Sequence, residues 1–155
     1  MVTYKAIDNF LQSLDKLERK GKKNYLKIRQ DICGTYSEIE DVLALLKSDI
    51  LVYLGDNIVL KTRVPNRTMR EGTSSGYRVI NLINAEEQEV VFLEVYPKKG
   101  KFAKNDLSKN ERLALLKEYL EQALEKTLKE VDINDELKII NQETPTPNSD
   151  KEEES

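Results

Sequence analysis

The sequence predicts an α+β fold: helices first, then an antiparallel sheet, then a helix. Three observations carry the prediction. Apolar residues recur at helical spacing over 7–20 and again over 109–130. Two runs, "YRVINLI" and "VVFLEVY", are apolar on both faces and are joined by "NAEEQE", the pattern of two central strands in a hairpin. Polar, basic loops, "PNRTMREGTSSG" and "PKKGKFAKND", bracket that hairpin.

Residues 7–20 place Phe10, Leu11, Leu14 and Leu17 on one helical stripe. After the turn "GKK", residues 23–33 place Tyr25, Ile28 and Ile32 on a similar stripe, with Gly34 as the expected C-cap. "SEIE" at 37–40 has the form of a capping box and is expected to open a third helix through about Lys47. "ILVYL" reads as a short strand and "GDN" as a turn. In "NIVLKTRV", alternation puts Val59, Lys61 and Arg63 on one face of a strand. "SKNE" at 108–111 is a second capping box. It opens the longest helix, roughly 109–130, with Leu113, Leu116, Leu120, Ala123, Leu124 and Leu128 expected inward. Residues 132–141 are expected to add a short element. The expected organisation is one domain over 1–141 and a disordered, Pro-rich acidic tail over 142–155.

A chain of 155 residues suits one domain with a single core. No run of 18 apolar residues predicts a membrane helix, and "MVTYKAIDNF" lacks the pattern of a secretory signal. Cys33 is the only cysteine, so no internal disulfide forms and a reducing cytoplasm is expected. With no histidine and one cysteine, a zinc site or a Ser-His or Cys-His catalytic pair is not expected, nor any metal or cofactor. The net charge is −3, but residues 142–155 hold five acids and one lysine, leaving 1–141 at +1. Residues 61–112 carry eleven Lys/Arg against seven Asp/Glu, a +4 excess that suits an anionic partner.

Five segments follow one another in an informative order: "FLQSLDKLERKGKKNYLKIRQDI", "GDNIVLKTRV", "SSGYRVI", "VVFLEVYPKKGK" and "NDLSKNE". Over about residues 4–120 they resemble the RelE/ParE superfamily, the toxins of bacterial type II toxin–antitoxin pairs. The first is similar to that family's N-terminal helical hairpin. The second is similar to its turn and strand of alternating basic residues, and the third to its Gly-Tyr/Phe-Arg strand. The last two are similar to its strand ending in Tyr and basic residues, and to its Asn-Leu-Ser helix start. The departures are the basic insert at 64–73, the extended C-terminal helix, the acidic tail, and Phe102 without a tyrosine where some ribonuclease relatives carry one.

The resemblance implies a small twisted antiparallel sheet with an N-terminal helical hairpin and a C-terminal helix. Helices would pack on one side, with a concave cationic surface on the other. It implies a ribosome-dependent mRNA endoribonuclease that inhibits translation, with a cognate antitoxin, the ribosome and mRNA as partners and no membrane. The alternatives are a gyrase-poisoning toxin without nuclease activity, or an inactive relative that only binds a protein.

RNA cleavage by 2′-oxygen attack needs a base, charge stabilisation at phosphorus and an acid for the 5′-oxygen. The candidate catalytic residues are Lys61, Arg63, Arg78, Lys98 and Lys99, with Arg78 falling on the family's strand arginine. A guanidinium stays charged and holds two phosphate oxygens at once. Lys61 is a base if neighbouring cations lower its pKa from about 10.4. Candidate RNA contacts are Arg67, Arg70, Tyr77, Tyr96, Lys101 and Lys104. Each has an ordinary alternative: a satisfied structural arginine at 78, a solvated strand face at 61 and 63, and packing at Tyr77 and Tyr96. The acidic tail is a candidate to fold back over the cationic cleft.

Overall fold

The computed structural model describes residues 1–21, 23–134 and 136–142, so the expected tail, save Gln142, lies outside the described residues. The chain forms β1 (Thr3–Ala6), α1 (Asp8–Lys20), α2 (Ile28–Tyr36), a 3₁₀ helix (Val42–Lys47), β2 (Asp49–Leu54), β3 (Asn57–Val64), β4 (Tyr77–Asn84) and β5 (Glu89–Pro97). Helix α3 (Lys109–Glu125) and strands β6 (Lys129–Asp132) and β7 (Lys138–Gln142) follow. The fold is α+β, but the sheet is neither small nor wholly antiparallel. Seven strands join in the order β2-β3-β4-β5-β1-β6-β7, and β1 runs parallel to β5 from Thr3 opposite Glu89 to Ala6 opposite Phe92. Among the described residues, no helix is long and apolar enough to cross a membrane.

Helices α1 and α2 cover what we term the inner face. Phe92 is the centre of the packing there: it stacks on Phe10 at 5.0 Å and on Tyr4 at 6.0 Å, and Tyr36 meets it edge-on at 5.0 Å. All four rings are at most 5% exposed, and offset or edge-on ring pairs add to the stabilisation from burial itself. Tyr36 also explains why α2 runs on past Gly34, the expected C-cap. The helix continues to bring Tyr36 under Phe92, and Ser37 ends it by donating its N–H to the Cys33 carbonyl. Residues 23–27, expected to be helical, form turns instead. The "SEIE" capping box does not form. Asp41 starts the next helix by accepting from the Leu43 N–H, and that helix is a 3₁₀ turn.

The "SKNE" box does form: Ser108 accepts from the Glu111 N–H, and Glu111 accepts from the Ser108 N–H. The helix it opens is shorter than expected. Lys126 turns left-handed at φ 59°, and Lys129–Asp132 pairs with β1 instead. The buried stripe also differs. Leu115 is buried and Leu116, Tyr119 and Ala123 pack against the core, while Leu113, Leu120 and Leu124 are exposed. Two polar residues explain the rotation. The first turn of α1 has no side-chain cap of its own, and helix α3 supplies one. Glu118 accepts from the Asn9 N–H at 2.8 Å, and Gln122 accepts from the Asp8 N–H at 3.2 Å. A carboxylate at that end also meets the positive pole of the helix dipole.

Substitution of leucines on the two stripes tests this orientation. Leu115→Ala lowers stability by about 2–4 kcal/mol, whereas Leu120→Ala stays within about 0.5 kcal/mol. Urea denaturation followed by circular dichroism measures both; equal losses would contradict the described face.

Candidate functional site

Register assembles the site. Arg63 of β3 lies opposite Arg78 of β4, which lies opposite Tyr96 of β5; one step along, Lys61, Ile80 and Glu94 form the next row. Strand alternation sends all six to the outer face, away from α1 and α2. A bulge at Leu93, where the β4–β5 register shifts, lets both Leu93 and Glu94 reach that face. Helix α3 packs over one end of it, with Leu115 and Leu116 near Val59, Ile80 and Leu93. The other end, toward the close of β3 and β5, stays open and cationic.

Two acids order these cations. Asp106, just before α3, accepts from the Lys61 Nζ at 2.7 Å. Asp49, at the start of β2, lies 3.8 Å from the same Nζ and 4.0 Å from the Arg63 guanidinium. The Lys61 hydrogen bond and charge hold the Asp106 carboxyl below its ordinary range, with Lys98 and Arg78 adding to the effect. Lys98 is kept close because its backbone N–H bonds the Gly76 carbonyl at 2.8 Å. Gly76 in turn admits no side chain: a Cβ there would lie 2.2 Å from the Val64 carbonyl oxygen.

Arg78 is a different kind of residue from Arg63. It is 5% exposed, and its guanidinium donates to three backbone carbonyls: Thr73 at 3.0 Å, Ser74 at 2.8 Å and Tyr77 at 3.2 Å. Burial lowers its pKa, and the neighbouring Arg63 charge lowers it further. It ties the loop before β4 to the sheet, the structural role open to a strand arginine. Arg63 is about half exposed and faces solvent.

The remaining candidates separate. Lys99 and Lys101 are exposed on the loop after β5, and the Lys101 ammonium lies 5.8 Å from the Phe102 ring. Lys104 lies 3.7 Å from Glu94 and 3.9 Å from Glu111. Arg67 is held by the buried carboxylate of Asp31 through both its Nε and its backbone N–H, which fastens the basic insert to α2. Arg70 is exposed with φ 56° in the same insert. Tyr77 points to the inner face and packs on Tyr25 at 5.9 Å, so it does not join the cations. Tyr96 does, beside Arg78, and its buried hydroxyl has no hydrogen-bond partner among the described residues. Sequence reasoning missed Asp49 of β2, Glu94 of β5, Asp106 just before α3 and Arg112 of α3, the last lining a small hollow with Lys61, Tyr96 and Asp106; they come to the outer face from four places. Acidic residues opposite basic ones were the available signal, but their distance along the chain hid it.

Among the described residues, no three His, Cys, Asp or Glu side chains gather as a metal site requires. Comparison with known proteins finds no matching family model, no matching curated protein and no matching solved structure.

Burial raises the pKa of Tyr4 and Tyr96 to about 12, and Asp106 adds to the rise at Tyr96. Unfolded tyrosine ionises near about pH 10. A folded-state pKa above the unfolded one gives stability that is complete below the unfolded value and lost as pH rises through the folded one. Alkaline unfolding is therefore expected between about pH 10 and about 12. Phenolate absorbance and circular dichroism should change together in that window. Ionisation of every tyrosine near pH 10 with the fold intact would contradict the burial.

Proposed function

We propose that the protein is a toxin of the RelE/ParE type that binds single-stranded RNA on the outer face of its sheet and cleaves translated messages there. One observation carries this reading. Lys61, Arg78 and Lys98, from three separate stretches of chain, gather around the exposed carboxylate of Asp106, and Arg63 joins them on the same face beside Arg78 and Asp49. Like charges held together against their repulsion suit a polyanion. Asp106 and Asp49, both exposed, occupy the place of phosphate oxygens. The helical pair on the inner face and the cations on the other agree with the RelE-like arrangement that the motif order implies. Helix α3 on the outer face departs from it.

In the proposed reaction the 2′-oxygen attacks phosphorus, its proton passes to a base, the bond to the 5′-oxygen breaks and that oxygen takes a proton. Lys61 and Arg63 stabilise the charge on the phosphoryl oxygens. Lys98 or Lys99, both exposed, donates to the leaving oxygen. Glu94 is the carboxylate suited to receive the 2′ proton, being 6% exposed on the outer face beside the Tyr96 and Arg78 row. Arg78 is a positioning residue, because three of its five N–H groups already hold carbonyls of the loop and strand.

That engagement favours a second reading: a relative, the gyrase-poisoning kind included, that binds a protein without cutting RNA. The exposed Leu113, Leu120 and Leu124 of α3 would then meet the cognate antitoxin or another protein.

Two experiments test the reading. When the chain is induced in bacteria, mapping of 5′ ends should find in-frame cuts in translated messages, reduced roughly 100-fold by Arg63→Ala. Growth arrest with intact messages and broken DNA would favour the gyrase alternative. In vitro, RNA affinity should fall with salt at a log–log slope of about −2 to −3, reduced by about 0.7 in Arg63→Ala. Asp106→Asn should raise that affinity severalfold; a decrease would count against the carboxylate standing in for phosphate.

A further inference from the structure

A cleft of about 640 Å³ opens beside the cations, at the sheet edge where β3 outruns β2. Strand β2 begins at Asp49, opposite Lys61, so Thr62, Arg63 and Val64 extend past the last β2 partner. The end of α2 and the 3₁₀ helix form the opposite wall. Ile39, Ala44 and Leu45 give the cleft an apolar side, and Thr73 and Thr35, whose hydroxyl donates to the Asp31 carbonyl at 3.2 Å, add hydroxyls to its lining. The Ser48 and Thr62 hydroxyls bond each other at 2.9 Å within the lining. Lys47, Lys61 and Arg63 also line it, against one carboxylate, Asp49.

We propose that this cleft is a nucleobase subsite, taking one unstacked base of a single-stranded RNA whose phosphates lie on Lys61 and Arg63. The inference rests on the phosphate-binding reading of the outer face and adds the part of the substrate that the cations do not read. Three features support it. The volume falls in the range of small-molecule pockets, about 300–1,000 Å³, enough for a base with its ribose. Lys61 and Arg63 belong to both the cleft and the phosphate face, so a backbone held by them delivers its base to the opening. An apolar wall with hydroxyls suits a base, which offers an apolar face and polar edges. A base inside a duplex cannot leave its stack without cost, so the site selects single strands.

The test compares binding of a short RNA oligonucleotide with that of the same oligonucleotide lacking its bases, using the full chain and recording amide chemical shifts. RNA should bind about ten-fold tighter than the abasic strand, within the range of one base contact. The amides of Ile39, Ala44 and Thr62 should move with RNA and not with the abasic strand. Ala44→Phe, at an exposed position of the 3₁₀ helix, should abolish the difference between the two strands. Should that variant fail to fold, the wild-type shifts decide. Equal affinity for both strands without cleft shifts would overturn the subsite and leave the phosphate reading standing. Failure of both strands to bind would overturn the two together.

Discussion

The arrangement of the outer face depends on a buried guanidinium held by backbone carbonyl dipoles. Removing a charged group from water costs several kcal/mol unless its donors are met. Arg78 meets three of its five with the carbonyls of Thr73 and Ser74 in its approach loop and of Tyr77 at the start of β4. No carboxylate is among these three partners, so the positive charge remains while the side chain is fixed. The loop is thereby drawn onto the end of β4, and Gly76 seats it against β3 with no room for a Cβ. The Gly76 carbonyl then holds the Lys98 N–H. One arginine thus links the ends of three strands, and the exposed cations take their positions from it.

The outer face is divided by the same geometry. Where Leu115 and Leu116 of α3 lie against Val59, Ile80 and Leu93, the sheet is dry and structural. Beyond Asp106 and Leu107 it becomes polar and charged. The position of α3 is set from the far side of the sheet, because Glu118 and Gln122 cap α1. The packing that stabilises the fold therefore also limits how much of the cationic face α3 can cover. In the proposed function, that uncovered part is what the substrate meets.

Much of this was legible in local sequence. The strands "NIVLKTRV", "YRVINLI" and "VVFLEVY", the Ser108–Glu111 capping box and the first helix all appear where pattern places them, because each signal lies within a few residues. Elements decided by distant partners were not legible. β1 is four residues whose parallel partner lies beyond the whole β2–β4 meander, and β6 exists because β1 offers it an edge. Helix α3 carries two leucine stripes, and only the reach of Glu118 and Gln122 to α1 selects between them. At the site, alternation correctly paired Lys61 with Arg63 on one face. Arg78 was legible as a strand arginine but not as one held by carbonyls, since that depends on the path of a loop. Tyr77 illustrates the same limit: adjacent to Arg78 in sequence, it faces the opposite side of the sheet.

The claim most open to direct test is the division of labour between the two facing arginines. Nuclear magnetic resonance of the guanidinium Nε–H groups during titration with a short single-stranded RNA separates them. The Arg63 signal is expected to move with RNA while the Arg78 signal, from a side chain fixed by three carbonyls through its Nη groups, keeps its position. Displacement of the Arg78 signal with Arg63 unmoved would contradict it.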